Sequence, residues 1–163
     1  MATISKEQSP FVIGAVAFVL IIGVSIAYYQ FFYLPEINRK PVIPAEWREP
    51  KQITEIKILP NSYDPNQKDN FMPKRVEVVL GRNNKVIWVN DDTTAHTVTS
   101  DNKYADPFSG VFDSLEHKDK LKNGYLMPGD RFEFIFTKTG EYKYHCVPHP
   151  WMQGIIIVRK PTA

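Results

Sequence analysis

One uninterrupted apolar run near the start of the chain limits how that part of it can fold. Residues 11–34, "FVIGAVAFVLIIGVSIAYYQFFYL", carry no charge, and Gln30 is the only strongly polar side chain among them. A helix rising about 1.5 Å per residue would cross a hydrocarbon core of about 30 Å with this run. The sequence therefore predicts a single N-terminal transmembrane helix, with residues 1–34 as tail and anchor.

The same run has an alternative interpretation as a cleaved signal peptide. Residues 25–27, "SIA", offer a small-x-small cleavage pattern. However, the run exceeds the roughly 7–15 apolar residues usual in such peptides. It also ends in a cluster of tyrosines, whose rings favour the headgroup level of a membrane. We favour an uncleaved single-pass anchor in the cell membrane.

The charges that flank the run give an ambiguous orientation. Lys6 alone precedes it, whereas four basic residues follow: Arg39, Lys40, Arg48 and Lys51. The positive-inside rule would keep the rest of the chain in the cytoplasm, but long translocated domains largely escape that rule. The chemistry of the following domain has to decide the side. Residues 35–52 contain four prolines and predict a semi-extended linker at the membrane surface.

Beyond the linker the hydrophobic period changes to two. Four segments alternate apolar and polar residues as half-buried strands do, namely 53–59, 75–80, 85–90 and 131–137. Further candidate strands are 97–100, 140–146 and 154–159, with turn chemistry at 128–130 and 138–140. About seven short strands indicate a β-sandwich over residues 53–163. Residues 61–70 are expected to form a surface loop, and residues 115–123 a surface loop or a short helical turn.

Charge and cysteine content exclude several classes of protein. A formal net charge of +2, with scattered lysines, is too small to indicate a nucleic-acid partner. The sequence has no glycine-rich phosphate loop after a strand and so predicts no nucleotide fold. The single cysteine, Cys146, rules out an intrachain disulfide framework and a four-thiolate zinc or iron–sulfur site. That thiol is inert core, a reactive group or a metal ligand.

The cysteine lies in a segment with metal-ligand spacing, "YKYHCVPHPWMQG". Cys146, His149 and Met152 follow a Cys-x2-His-x2-Met pattern, which a tight loop can bring to one point. Prolines on both sides of His149 fix φ and stiffen that loop. Two histidines and a cysteine in a plane, with a distant axial methionine, describe a blue copper centre, whereas zinc would favour another hard or thiolate ligand.

The fourth ligand has to be a histidine from elsewhere in the chain. His117 lies in a charged stretch and is expected at the surface. His145 neighbours Cys146 in a strand, so its side chain should point to the opposite face. His96 follows a strand that ends at Asn90, and a Greek-key return can bring such a position beside the C-terminal loop. We therefore predict His96 as the fourth ligand.

Two segments, "WVNDDTTAHTV" and "GEYKYHCVPHPWMQGIIIV", resemble the signature segments of the cupredoxins, most closely those of the amicyanin and plastocyanin type. The resemblance covers residues 53–160 and implies an all-β Greek-key cupredoxin sandwich that binds one type 1 copper ion. It implies His96, Cys146 and His149 as equatorial ligands. The long axial ligand would be Met152.

The resemblance also implies a function. Proteins of this type are electron carriers, not enzymes, and pass single electrons between a donor and an acceptor by Cu(II)/Cu(I) cycling. They work outside the cytoplasm, so the domain is expected on the extracytoplasmic side of the membrane. The expected partners are a cytochrome, an oxidase or another membrane complex. The backbone N–H of Thr97 is the expected hydrogen-bond donor to the Cys146 sulfur, a contact that tunes the redox potential.

Three other functions stay open. A multicopper or nitrite reductase type of enzyme would use His145 for a second copper, although four histidines in all are few for such an enzyme. The chain could instead be a mononuclear-copper subunit of a larger respiratory or oxidase complex. The third is a role without electron transfer, namely copper delivery or storage, or that of a scaffold subunit.

The loop around His149 is the expected contact surface for redox partners. Pro148, Pro150 and Trp151 would surround the ring edge of His149 with an apolar patch that suits weak, quickly dissociating encounters. Trp151 has an alternative role, in which it packs inward against the sandwich.

Overall fold

The computed structural model describes residues 9–39 and 41–162. The predicted tail, residues 1–8, and Lys40 lie outside these ranges. The chain divides after Pro41 into a helical unit and a β-unit. The boundaries predicted after residues 34 and 52 stay predictions.

The helical unit is continuous and contains one π-helical turn. Helix α1 (Pro10–Tyr28) passes through a π-helical turn (Tyr29–Tyr33) into α2 (Leu34–Ile37). Proline suits the first turn, because a backbone donor there would have no partner within the helix. The segment Pro10–Ile37 is 28 residues long, and none of it is buried within the described structure. A helix of this length and apolarity fits a membrane span or a signal sequence.

Two four-stranded sheets build the β-unit. Within residues 41–162 the strands are β1 (Ile53–Ile58), β2 (Phe71–Met72), β3 (Arg75–Val79), β4 (Lys85–Asn90), β5 (Thr99–Ser100), β6 (Ala105–Asp106), β7 (Gly110–Val111), β8 (Arg131–Ile135), β9 (Gly140–His145) and β10 (Gln153–Arg159). Sheet A has the order β2-β1-β4-β8 and sheet B the order β3-β10-β9-β5, while β6 and β7 pair with each other. The predicted all-β sandwich with an apolar N-terminal helix is confirmed.

Each large sheet contains one parallel pair. Strand β1 lies parallel to β4, and β3 lies parallel to β10, whereas the other neighbours are antiparallel. The last strand in the chain, β10, therefore sits inside sheet B between β3 and β9. The loop that joins β9 to β10, residues 146–152, lies at one end of these paired strands.

Alternating side chains place one side of each strand in the core. In β8, Phe132 and Phe134 are 3% and 2% exposed, whereas Arg131 and Glu133 face solvent. This is the period-two pattern of a half-buried strand. The side chains that face inward from both sheets are mainly aromatic and β-branched, and they form one continuous core.

Phe112, directly after β7, lies at the centre of the aromatic packing. Its ring centroid is 5.5, 4.8, 5.1 and 5.9 Å from those of Trp88, Phe134, Phe136 and Tyr144. Tilted and edge-on contacts at such distances stabilise beyond the area they bury. Phe112 therefore fastens the segment between β7 and β8 onto the sandwich.

Residues 45–48 depart from the semi-extended conformation predicted for residues 35–52. They form a helical turn, α3 (Ala45–Arg48), whose Trp47 packs on the core. The fully buried Asn84 donates from Nδ2 to the carbonyl oxygens of Trp47 and Phe136 at 2.7 and 2.8 Å. The physical reason for the departure is that burying part of the Trp47 indole stabilises the helical turn, whereas an extended segment would leave the indole in water. Residues 45–48 are thus attached to the sandwich through Asn84, which directly precedes β4.

Candidate metal centre

His96 is positioned by a hydrogen-bonded turn that follows β4. Asn90, the last residue of that strand, donates from Nδ2 to the carbonyls of Thr94 and Leu126 at 2.8 and 2.9 Å. The N–H of His96 donates to the Leu126 carbonyl at 3.0 Å, and its own carbonyl accepts from the Leu126 N–H at 2.9 Å. His96 is fully buried. Both the backbone N–H and the carbonyl of His96 are therefore fixed by hydrogen bonds to Leu126.

The other three predicted ligands lie on the tight loop between β9 and β10. The N–H of His149 donates to the Cys146 carbonyl at 3.2 Å, and the N–H of Met152 donates to the His149 carbonyl at 2.9 Å. The N–H of Cys146 closes the loop by donating to the Met152 carbonyl at 3.1 Å. Cys146 and Met152 are fully buried and His149 is partly exposed.

Donor atoms from the two segments converge in this loop. Cys146 Sγ lies 3.6 Å from His96 Nδ1 and 3.5 Å from His149 Nδ1, and the two Nδ1 atoms are 3.1 Å apart. All three atoms lie within 4.8 Å of one another, so one ion could contact each of them. The structure thus brings together His96, Cys146 and His149, with Met152 buried at the end of the same loop.

Thr97 ties the two segments to each other. Its N–H donates to Cys146 Sγ at 3.3 Å, and its Oγ1 accepts from the N–H of Val147 at 2.8 Å. The predicted donor to the sulfur is confirmed. A hydrogen bond of this kind orients the sulfur and stabilises negative charge on it.

A buried carboxylate, that of Asp92, holds the far side of the His96 ring, a role that the sequence does not predict. Asp92 Oδ2 accepts from His96 Nε2 at 2.8 Å, and both side chains are completely buried. Asp92 Oδ1 accepts from the N–H groups of Asn61 and Thr93 at 2.9 and 2.7 Å. With the proton on Nε2, the ring presents its Nδ1 lone pair to the site.

Burial and hydrogen bonds set the protonation states. Burial raises the pKa of the Cys146 thiol, and the N–H of Thr97 offsets only part of this. Burial lowers the pKa of His96 more than its bond to Asp92 raises it, and burial also lowers the pKa of His149. Burial opposes ionisation of Asp92, but hydrogen bonds from His96 and two backbone N–H groups hold the pKa of that carboxyl below its usual value. At neutral pH the site therefore offers two uncharged imidazoles.

The metal-free chain is expected to lose stability as the pH falls from 7 to 5. Folding lowers the pKa of His96 and of His149, so the unfolded chain takes up protons first. Their contribution is complete above the ordinary histidine pKa of about 6.5 and is lost as the pH falls toward the folded values. The urea concentration at the unfolding midpoint, measured between pH 7 and pH 5, checks this expectation. A midpoint that does not change with pH would contradict the lowered pKa values of the two histidines. The His149→Gln variant should show a weaker dependence of the midpoint on pH.

The remaining histidines lie outside the cluster. His145 Nδ1 is 2.6 Å from Asp101 Oδ1 on the outer face of sheet B, which confirms that it points away from Cys146. His117 lies in the 115–123 loop, and its Nε2 is 3.1 Å from the carbonyl oxygen of Val111 in β7. Neither belongs to the donor set that converges around Cys146.

The donor set indicates which metal fits. Two imidazole nitrogens, one cysteine sulfur and one thioether form a soft mixed set that suits copper better than zinc. A family model described as copper binding proteins of the plastocyanin/azurin family matches residues 62–159. The chain belongs to this family. Its fold is that of a cupredoxin, and its cofactor is copper, for which the four side chains are compatible with a single type 1 ion.

Known relatives of this cupredoxin include amicyanins. That of Paracoccus denitrificans is 30% identical over 73 residues, which is 45% of this chain and 47% of the relative. That of Paracoccus versutus is 26% identical over 82 residues, which is 50% of this chain and 54% of the relative. The chain thus spans about half the length of the curated relatives that it matches.

A solved structure shows the same likeness over a whole domain. The purple cupredoxin from Nitrosopumilus maritimus is 32% identical, with a TM-score of 0.50. The match covers 65% of this chain and 99% of that protein. The cupredoxin fold predicted from the two signature segments is therefore confirmed.

The carboxylate of Asp92 is expected to strengthen copper binding in this cupredoxin. We expect Asp92→Asn to lower the copper(II) affinity about 10- to 100-fold, because partners that orient a ligand histidine have effects of this size. Removal of a buried negative charge should also raise the reduction potential. Asp91→Asn is the matched control, because Asp91 is exposed and pairs with Lys57 at 3.3 Å. Equal effects of the two variants would contradict a role for the buried pair.

Proposed function

We propose that this cupredoxin is a membrane-anchored carrier that passes single electrons between two redox proteins. The observation that carries the proposal is the convergence within 4.8 Å of three donor atoms, from the fully buried His96 and Cys146 and the partly exposed His149. Copper bound there supplies one-electron chemistry. The contribution of the chain is to hold the donors in place, through the closed 146–152 loop and the bonds of Thr97.

We assign His96 Nδ1, Cys146 Sγ and His149 Nδ1 as the strong ligands and Met152 as the weak fourth. The carrier role needs one copper only and so no ligand from His145, which lies on the outer face of sheet B with its Nδ1 bonded to Asp101. Membership of a copper-binding electron-transfer family supports the same role.

Electrons are proposed to enter and leave beside His149. His96, Cys146 and Met152 are fully buried, whereas His149 is partly exposed. Val147, 45% exposed, lies beside it with the exposed Pro148 and Pro150. An apolar surface of this modest size suits the brief encounters of redox proteins.

Trp151 supports this surface from behind. Its ring packs on the core and lies 5.4 Å from the ring of His149, and its Nε1 donates to the Ser62 carbonyl at 3.0 Å. We expect Trp151→Ala to lower the free energy of unfolding by about 1–3 kcal/mol, less than for a fully buried tryptophan. Urea unfolding measures this, with Val147→Ala as the exposed control. A loss no larger than that of the control would favour docking as its only role.

The N-terminal helix is proposed to anchor the protein, with the β-unit on the extracytoplasmic side. The support is the length of Pro10–Ile37 and its lack of buried residues within the described structure. Carbonate-washed membranes should retain the full chain, and protease added outside spheroplasts should digest the β-unit. Release of the chain by carbonate would contradict anchoring.

The test of the carrier function uses the full chain in neutral detergent. Copper loading should produce intense visible absorption and the narrow EPR hyperfine splitting of a blue copper centre. Chemical reduction should bleach the colour, and reoxidation should restore it over repeated cycles. A colourless protein that retains zinc would contradict copper binding. Irreversible transfer of copper to an apo-acceptor would instead indicate copper delivery.

A further inference from the structure

A row of cations crosses the outer face of sheet B close to the metal centre. Arg75 of β3 and Lys143 of β9 are both register partners of Ile155 in β10, one on each side. Lys74 directly precedes Arg75, and all three cations are exposed. They line a groove of about 340 Å³ together with Asp101, Gln153 and residues 144, 154 and 155. We call this feature, defined by Lys74, Arg75 and Lys143, the basic groove.

The charge of the basic groove is not neutralised by the part of the chain that the structure describes. None of the three cations forms an ion pair with a carboxylate of residues 9–39 or 41–162. Asp101, the carboxylate in the lining, is bonded to His145 instead. The groove therefore presents net positive charge to solvent.

The next row on the same face carries the opposite charge. Glu77 and Glu141 flank Ile157 in register, two residues farther from the metal centre. Glu77 is bonded to Arg159 and so does not compensate the basic groove. Positive charge is thus concentrated in the row that lies nearer the proposed ligands.

The basic groove begins next to the ligand loop. Gln153 follows Met152 directly and is the register partner of His145, which precedes Cys146. The row at Ile155 lies three residues beyond Met152, or about 10 Å at the rise of a strand. The basic groove and the loop that carries His149 are therefore neighbours along the chain.

We propose that the basic groove docks the acidic face of a redox partner protein and selects partners by charge. This inference rests on the proposed carrier function and extends it by naming the chemistry of the partner. Complementary charge raises association rates about 10- to 1,000-fold, and salt removes the effect. Single exposed ion pairs stabilise a complex little. The groove accordingly sets speed and orientation, while the apolar surface around His149 makes the close contact.

The experiment measures reduction of the copper-loaded full chain by an acidic protein probe. The probe is the reduced soluble domain of cytochrome b5, followed by stopped flow at ionic strengths of about 0.01 M and about 1 M. The test variant combines Lys74→Glu, Arg75→Glu and Lys143→Glu. The control combines Arg82→Glu, Lys138→Glu and Lys160→Glu, which are exposed residues of the same types at the other end of the strands.

At low ionic strength the test variant should react at least about 10-fold more slowly than the unaltered chain, and the control less than about threefold more slowly. At high ionic strength the three rates should converge. Equal slowing by both variants would attribute the effect to net charge and overturn the proposal. An unchanged rate in the test variant would also overturn it.

Three further measurements keep the outcomes distinct. Hexaammineruthenium(II), a small cationic reductant, should reduce every form of the protein, and an unaltered chain that it cannot reduce would overturn the carrier function itself. Light scattering at low salt should show the same mass for all forms. A dimer that the test variant lacks would make a second copy the occupant and overturn the proposal. If the triple variant misfolds, a milder double variant with Arg75→Gln and Lys143→Gln replaces it. Its reduction by the acidic probe should still be about threefold slower than that of the unaltered chain.

Discussion

The Cys146→Ser variant is expected to lose the intense visible absorption of the copper-loaded protein completely. That absorption arises from charge transfer between a thiolate and Cu(II), and a serine hydroxyl is a harder donor that stays protonated. Copper affinity should fall more than about 100-fold, since loss of a ligand costs more than loss of an orienting partner. Absorption spectra and copper titration of the full chain measure both effects.

The matched control is His117→Ala, which alters a histidine outside the cluster. It should keep the full absorption, because its Nε2 lies against the Val111 carbonyl and away from Cys146. Far-UV circular dichroism should show that both variants are folded. Retained colour in Cys146→Ser would mean that another residue holds the copper, and the ligand assignment would be wrong.

The Phe112→Ala variant is expected to lower the free energy of unfolding by about 3–5 kcal/mol. Phe112 is completely buried and contacts aromatic side chains from both sheets, so truncation leaves a cavity that this rigid packing cannot close. Equilibrium urea unfolding of the metal-free chain measures the loss. It is the largest stability effect expected among the variants considered.

Phe108→Ala provides the control for this prediction. Phe108 lies four residues earlier and is 46% exposed, so the same truncation should cost less than about 1 kcal/mol. A comparable loss in the two variants would mean that the aromatic cluster does not hold this segment. The N–H of Ser114 donates to the Val98 carbonyl at 2.9 Å, so loosening of residues 112–114 should also reach the segment that carries His96 and Thr97.

Strands could be predicted from the sequence wherever alternation runs over five residues or more. The segments predicted at 85–90 and 131–137 correspond to β4 and β8. Strands β2, β6 and β7 hold two residues each, which is too few to show a hydrophobic period. They form because the fold brings a partner strand beside them, β1 for β2 and each other for β6 and β7. The loop predicted at 61–70 is confirmed, and that at 115–123 contains short 3-10 turns.

The candidate site could be predicted in part because three of its residues are close in the sequence. The pattern around Cys146 is local, and its meeting with His96 follows from resemblance to a known family. The role of Asp92 could not be predicted, because two consecutive aspartates precede His96 and only the fold buries one and exposes the other. The available signal was a carboxylate four residues before a predicted ligand. The support of the ligand loop by Trp151 and Ser62 depends on a contact between distant segments.

The position of β10 within sheet B has a consequence for the order of folding. Strand β10 joins β3 to β9, and its Ile155 pairs with Arg75 from the first half of the chain. Such distant pairing pays its entropic cost before its contacts form, so it comes late. A nascent polypeptide therefore lacks the four proposed ligands in one place until residues 146–159 have been synthesised and β10 has paired. All four can hold copper together only from that stage of folding onward.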